Sequence, residues 1–327
     1  MKIISFKKFL IEGGNVFKGK TDKIPKAFIE PTLNNFFAEL KAVFPTHADI
    51  FNTNTFKPLG SVGKKDFSGD IDLAVDVKSI ISDREYSLEF LKTWGIDKNV
   101  WEELWKTILK RSRTATKEMC KEKAFFMEFA KAVNTKSNFI ECEEKKVTNG
   151  NVFCNFPQYN ENNEQQDIAV QIDFMIGNLK WLMFSYYSDK YEGNVKGLHR
   201  TQLLLAAFGA KGKTFNHVNG VKDKETGQVE ATNPEEAIDL LGELYNTTFD
   251  EKTLANYFSL YDFLDNNIPK SDFNKIKDIY LKILDSTRAD IPENLQKYWI
   301  QNQDELGLKG KFLPEDSNLI SYQKEKA

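Results

Sequence analysis

The 327 residues carry 45 Lys and Arg against 48 Asp and Glu, a net charge of −3, and 41% of them are hydrophobic. That apolar share supports a sizeable core in two domains or one large lobed one, while the charge balance excludes a global attraction to nucleic acid, so any such contact must come from a local patch. Cys120, Cys142 and Cys154 have no metal-like spacing, which points to structural thiols in a reducing, cytoplasmic compartment, and no apolar run reaches the length of a membrane span.

The first residues, M-K-I-I-S-F-K-K-F-L-I-E-G-G, are basic and amphipathic: Phe6, Phe9 and Leu10 can share one helical face, which Gly13-Gly14 would end. They are too brief and too polar for a secretory signal peptide. This start resembles the capsid-targeting peptides of internal head proteins in large tailed phages, which a head protease cuts after Leu-x-Glu or Ile-x-Glu. Leu10-Ile11-Glu12 fits that pattern, and an ordinary docking helix is the alternative reading. The resemblance implies a phage-encoded protein, in the host cytoplasm or packaged in the head, with residues 1–30 as leader or extension. Pro31 to Phe44 then predicts an amphipathic helix with a proline at its start and Leu33, Phe36, Phe37, Leu40 and Phe44 turned inward.

From Phe56 to Asp76 the chain reads F-K-P-L-G-S-V-G-K-K-D-F-S-G-D-I-D-L-A-V-D. Phe56 to Leu59 looks like the end of a strand, Gly60-Ser61 like a turn, and Ile71 to Val77 alternates as a second strand. Asp70 and Asp72, two apart, would point to the same face of that strand and converge on one cation. Hard oxygen ligands beside a small-residue turn suit magnesium (or manganese) on a nucleotide phosphate; a solvated Asp-x-Asp edge after a hairpin is the plainer alternative.

The stretch from about 79 to 145 reads as a helical insert. Trp101, Trp105, Ile108, Ala115, Met119 and Phe126 fall on one face of a helix spanning Asn99 to Val133. Lys106, Lys110, Arg113, Lys117 and Lys121, spaced four, three, four and four, make a basic stripe on another. Such a stripe can follow a phosphate backbone or be a solvated face relieved by Glu118 and Glu122. Val147 to Phe156, centred on Asn149-Gly150, predicts a hairpin, and Tyr159 to Gln166 a polar loop. Ile168 to Ile176 is a β-rich apolar run with a single acid, Asp173, which needs a cation or a donor, or else caps a neighbouring backbone. The predicted sheet is mixed, built from the Phe56, Ile71, Val147, Val152 and Ile168 runs.

Gly60-Ser61, eight residues, then Asp70-Ile71-Asp72 resembles the signature of the DNA polymerase beta superfamily of nucleotidyltransferases, and Ser68-Gly69-Asp70-Ile71-Asp72-Leu73 is most similar to family X DNA polymerases. The resemblance, over roughly 56–76 and 168–242, implies an α+β fold with a palm-like mixed sheet, to which the residue pattern adds a helical insert and a helical C-terminal region. It implies that Asp70, Asp72 and Asp173 bind two magnesium (or manganese) ions and that Gly60 and Ser61, with Lys64 or Lys65, hold the terminal phosphates of a nucleoside triphosphate. The family's phosphate-binding arginines are missing after Gly-Ser, and Gly63, Lys64 and Lys65 occupy the region. Trp181 to Ser188 looks like the family segment whose aromatics line the nucleotide sugar, which would place Tyr186 and Tyr187 there or leave them as core. The order after Gly197, a helix, a small hairpin and N-P-E-E-A-I-D-L-L-G, is similar to the family's thumb. The expected organisation is a core over 31–190 and a thumb-like part over 191–248, and the apolar pattern over 249–327 adds C-terminal helices separated by Pro269 and Pro292. The implied reaction transfers a nucleotide to an acceptor hydroxyl; an RNA or DNA 3′ end is favoured by the stripe, and protein or small-molecule nucleotidylation or a non-catalytic binding or head protein stay open.

Overall fold

The computed structural model describes residues 16–17, 19–60, 62–64, 66–112, 115–187, 197–218, 220–287 and 289–308. The leader with Leu10-Ile11-Glu12, and also Ser61, Lys65, Arg113 and the polar tail from Lys309, lie outside the described residues. The chain divides into two compact units, Gly13–Tyr186 and the part from Tyr187 onward. Among the described residues no helix is long and apolar enough to cross a membrane, and all three cysteines are buried and free.

The first unit is α+β. Its elements are β1 (Ile24–Pro25), α1 (Lys26–Val43), β2 (Phe56–Pro58), β3 (Phe67–Ser68), β4 (Ile71–Asp76), α2 (Val77–Ile80), α3 (Leu88–Thr93), α4 (Lys98–Arg111), α5 (Lys117–Lys136), β5 (Glu141–Cys142), β6 (Asn151–Tyr159), β7 (Gln165–Gly177) and α6 (Leu179–Ser185). A mixed sheet of five strands runs in the order β2-β4-β7-β6-β5, and β1 pairs separately with β3. Only β4 and β7 are parallel; the other neighbours are antiparallel. A parallel pair cannot be joined by a tight turn, and the helical insert between them supplies the crossover.

Alternation along the strands gives the sheet two unlike faces. Ile71, Leu73 and Val75 of β4 and Ile172, Phe174 and Ile176 of β7 enter the main core, packed by α1 and α5. Phe36 of α1 sits 5.3 Å from Phe156 and 5.8 Å from Phe174, ring centre to ring centre, and Phe44 stacks on Phe129 of α5 at 5.0 Å. The opposite face carries Asp72 and Ala74 of β4 with Gln171, Asp173 and Met175 of β7. There a smaller cluster of Leu59, Ala74, Met175 and Leu182 seats α6.

Four expectations for the first unit need correction. Helix α1 begins at Lys26, so Pro31 lies inside it rather than at its start. Burial of Ile29, Leu33, Phe36 and Phe37 outweighs the one hydrogen bond a proline omits. Asp70 is not on the strand with Asp72: the chain bends at Gly69-Asp70 after β3, and pairing with β7 starts only at Ile71. Val147 is not a strand. Its side chain is buried in the core, Thr148 N–H donates to Asn151 O at 3.0 Å, and the outer neighbour of β6 is Glu141–Cys142.

The insert, finally, is not one helix but a helical hairpin. Asp97 caps the start of α4, and Thr116 the start of α5, by accepting backbone N–H groups; Ser112 Oγ accepts Ala115 N–H in the link. Trp101 Nε1 donates to Lys121 O at 3.2 Å, which closes α5 back onto α4. The basic stripe is therefore divided, with Lys106 and Lys110 on α4 and Lys117 and Lys121 on α5.

The second unit contains α7 (Leu198–Ala210), the meander β8 (Lys213–Asn216), β9 (Gly220–Asp223) and β10 (Val229–Ala231), then α8 (Pro234–Tyr245), α9 (Tyr257–Asn267), α10 (Lys270–Thr287) and α11 (Glu293–Asn302). The expected hairpin is thus three strands. Gly220, at φ +79°, is required where β9 meets β10, since a Cβ there would fall 2.0 Å from Ala231 O. Helix α7 is buried almost all round, and His199 Nδ1 lies 2.7 Å from the Tyr280 hydroxyl of α10. Pro269 and Pro292 stand immediately before α10 and α11.

Candidate metal centre

Parallel pairing sets Asp72 of β4 in register with Asp173 of β7. Asp70, at the bend entering β4, adds a third carboxylate, and one oxygen from each of the three lies within 4.8 Å of the other two. Two neighbouring strands and the bend ahead of one of them thus bring together residues about a hundred positions apart. Asp173 is 2% exposed, whereas Asp70 and Asp72 keep part of their surface open.

Crowding three acids is unfavourable without a counter-charge. Burial pushes the Asp70 carboxyl above the ordinary carboxylate range, and burial together with the charge of Asp70 pushes Asp72 well above it. Hard, convergent carboxylate oxygens with suppressed ionisation are a donor set that fits magnesium or manganese and gains from binding it.

The Gly60 turn adjoins this cluster. Leu59 N–H donates to Asp72 O at 2.9 Å, so the turn starts beside the residue that carries a cluster acid. Gly60 and Gly63 take φ values of +58° and +70°, and no heavy atom lies within 4 Å of where a Cβ would stand. Glycine is needed there for backbone conformation alone. Lys64 follows on the loop and is exposed.

The other candidate residues are dispersed. Tyr186 closes α6 and packs against the Leu59, Ala74, Met175 and Leu182 cluster, on the acid-bearing face. Tyr187 falls in the second unit, 41% exposed, with the buried Arg200 guanidinium 5.7 Å from its ring centre. Burial brings that guanidinium down to about 10. The hairpin lysines group around aromatic rings: Lys106 and Lys117 stand 5.6 and 5.4 Å from the Trp105 ring, and Lys121 stands 5.6 Å from Tyr86. Lys106 also pairs with Glu102 at 2.9 Å and Lys121 with Glu118 at 3.7 Å.

Sequence reasoning missed Gln171, whose Nε2 donates to Asp173 Oδ2 at 2.9 Å. A signal was present: Gln171 is a polar residue inside the apolar run, two positions before the acid and therefore on its face.

No protein-family model matches the chain, and no curated sequence does. Among solved structures the chain is similar to Leishmania infantum polymerase beta in a ternary P/T complex, at 14% identity and a TM-score of 0.35, over 73% of this chain and 77% of that one. It is similar to the same organism's polymerase beta in a ternary gap complex at 13% identity and a TM-score of 0.35, over 72% and 71%.

Because the folded pair binds protons more tightly than unfolded aspartates, its contribution to stability is complete below about pH 3.9 and is lost as pH rises through the raised values. The metal-free protein at pH 7 should therefore gain stability from Asp70→Asn/Asp72→Asn. Manganese at about a hundred times its Kd should raise the parent Tm by roughly 5–10 °C and leave the variant unchanged. Thermal melts from pH 5 to 8, with chelator and with manganese, read both effects.

Proposed function

We propose that this chain is a metal-dependent nucleotidyltransferase that moves NMP or dNMP from a nucleoside triphosphate to an acceptor hydroxyl and releases pyrophosphate. The observation that carries the reading is the convergence of Asp70, Asp72 and Asp173 within 4.8 Å beside the Gly60 turn. The G-S…D-I-D pattern, with its resemblance to family X polymerases, points the same way.

Two magnesium or manganese ions, when bound, would neutralise the triphosphate and the departing pyrophosphate. Asp70 and Asp72 would hold both, and Asp173 the one at the acceptor. Asp173 accepts the hydroxyl proton as the acceptor oxygen bonds to the α-phosphorus. The bond from that phosphorus to the bridging oxygen breaks, and pyrophosphate leaves with the electron pair. The Gly60 backbone, Ser61 and Lys64 or Lys65 would hold the β- and γ-phosphates, the lysines as point charges without the fork of an arginine. Tyr186, on the acid-bearing face, would line the sugar or base.

A nucleic-acid 3′ end is the acceptor favoured by the lysines of α4 and α5 around Trp105, because cations beside an indole ring suit phosphate and base together. The head-protein reading rests on the leader motif at Leu10-Ile11-Glu12.

Incubation with α-labelled NTPs and dNTPs, manganese or magnesium, and a mixed pool of RNA, DNA and protein should transfer label. Asp72→Ala should lower the rate by at least about a thousand-fold, the scale of several kcal/mol of lost transition-state stabilisation. No transfer to any acceptor would leave a non-catalytic binding protein. Reversing Lys106, Lys110 and Lys117 to glutamate should flatten the salt dependence of single-strand binding by about 0.7 in log–log slope for each phosphate that is no longer neutralised, read by anisotropy titration at several salt concentrations.

A further inference from the structure

Gln171 is fully buried on the acid-bearing face of β7. Its Nε2 donates to Asp173 Oδ2 at 2.9 Å, and its Oε1 accepts the backbone N–H of Val16 at 2.9 Å. A backbone N–H can only donate and a carboxylate only accept, so the amide has one orientation that keeps both bonds. Val16 is fixed in turn. Lys146 Nζ donates to its carbonyl at 2.9 Å, and its side chain packs with Phe17 and Phe153, the β6 residue paired with Asp173. Further along the same segment, Lys20 pairs with Glu141 at 2.8 Å, Thr21 bridges to Ala169, and Asp22 N–H donates to Ala169 O at 2.9 Å. Val16, Phe17 and Lys20 to Asp22 therefore form a strap tied to β7 and its neighbours at successive points.

We propose that Gln171, oriented by the Val16 N–H, is a positioning residue that fixes the Asp173 carboxylate for cation binding, which makes the N-terminal strap part of the metal centre. The inference rests on the metal site proposed above and adds the residues that hold its most buried ligand. A carboxylate turns about its terminal torsion, which is broad and two-fold; a donor on Oδ2 selects one orientation. A neutral amide does this without a positive charge that would compete with the cation, as an arginine or lysine at position 171 would. Ordering the ligand beforehand leaves less freedom to be lost when the cation arrives.

The test is manganese binding to the full chain, followed by the electron paramagnetic resonance signal of free Mn2+, for the parent, Gln171→Met, Val16→Pro, the double variant and Asp72→Asn. Methionine preserves chain length without the donor, and proline removes the N–H of residue 16. Each single change should weaken binding by about 10-fold. The double should be no weaker than Gln171→Met alone, since both interrupt one series of bonds, whereas general loosening of the fold would make the losses add. Metal-free circular dichroism checks folding, and if Gln171→Met does not fold, Val16→Pro against the parent decides. Parent-like affinity in folded Gln171→Met and Val16→Pro, with Asp72→Asn binding abolished, overturns the positioning role and leaves the metal centre standing. Additive losses in the double also overturn it. A parent that binds no manganese overturns both.

Discussion

The parallel pairing of β4 with β7 places Asp72 beside Asp173, and the organisation of the first unit follows from it. Parallel strands require a long crossover, which is why a helical hairpin and further helices intervene between the two acids. The same alternation that turns Ile71, Leu73, Val75, Ile172, Phe174 and Ile176 into the aromatic core turns Asp72 and Asp173 to the other face. Shifting the pairing by one residue would move the acids into that core and the apolar residues out of it. The packing of Phe36 and Phe129 against Phe174 thus also maintains the acid cluster.

That cluster is a local conflict inside an otherwise consistent unit. The convergence of three carboxylates within 4.8 Å holds these groups closer than their charges favour, and burial raises the Asp70 and Asp72 carboxyls. Strong helix caps and a dense aromatic core elsewhere keep the arrangement in place. Gln171 and the strap that begins at Val16 add a second hold on the most buried of the three acids. Sequence-distant parts of the unit are all tied to one small area of the sheet.

Much of this was legible in the residues. Asp72 on its strand, the lone acid of the Ile168 run and the small residues after Leu59 identified most of the cluster and its turn, because strand periodicity and glycine conformation are local properties, whereas Asp70 joins it from the bend ahead of the strand and not by strand periodicity. What could not be read depended on contacts between distant segments or on short competing signals. Helical spacing of the lysines continued through Ser112 to Thr116, where the Thr116 hydroxyl caps a new helix and the Ser112 hydroxyl accepts Ala115 N–H in the link instead of one helix extending through. Asn149-Gly150 looked like a hairpin, but Val147 gained more by entering the core than by pairing. The β1–β3 pair and the bond from Val16 to Gln171 join segments whose partners no periodicity reveals.

The most direct measurement is anomalous diffraction at the manganese edge from crystals of the full chain soaked in manganese and a non-hydrolysable nucleoside triphosphate. The account predicts peaks within ligand distance of Asp70, Asp72 and Asp173, with the terminal phosphates against the Gly60 turn. Manganese bound elsewhere, or an empty cluster with the nucleotide at another surface, would contradict it.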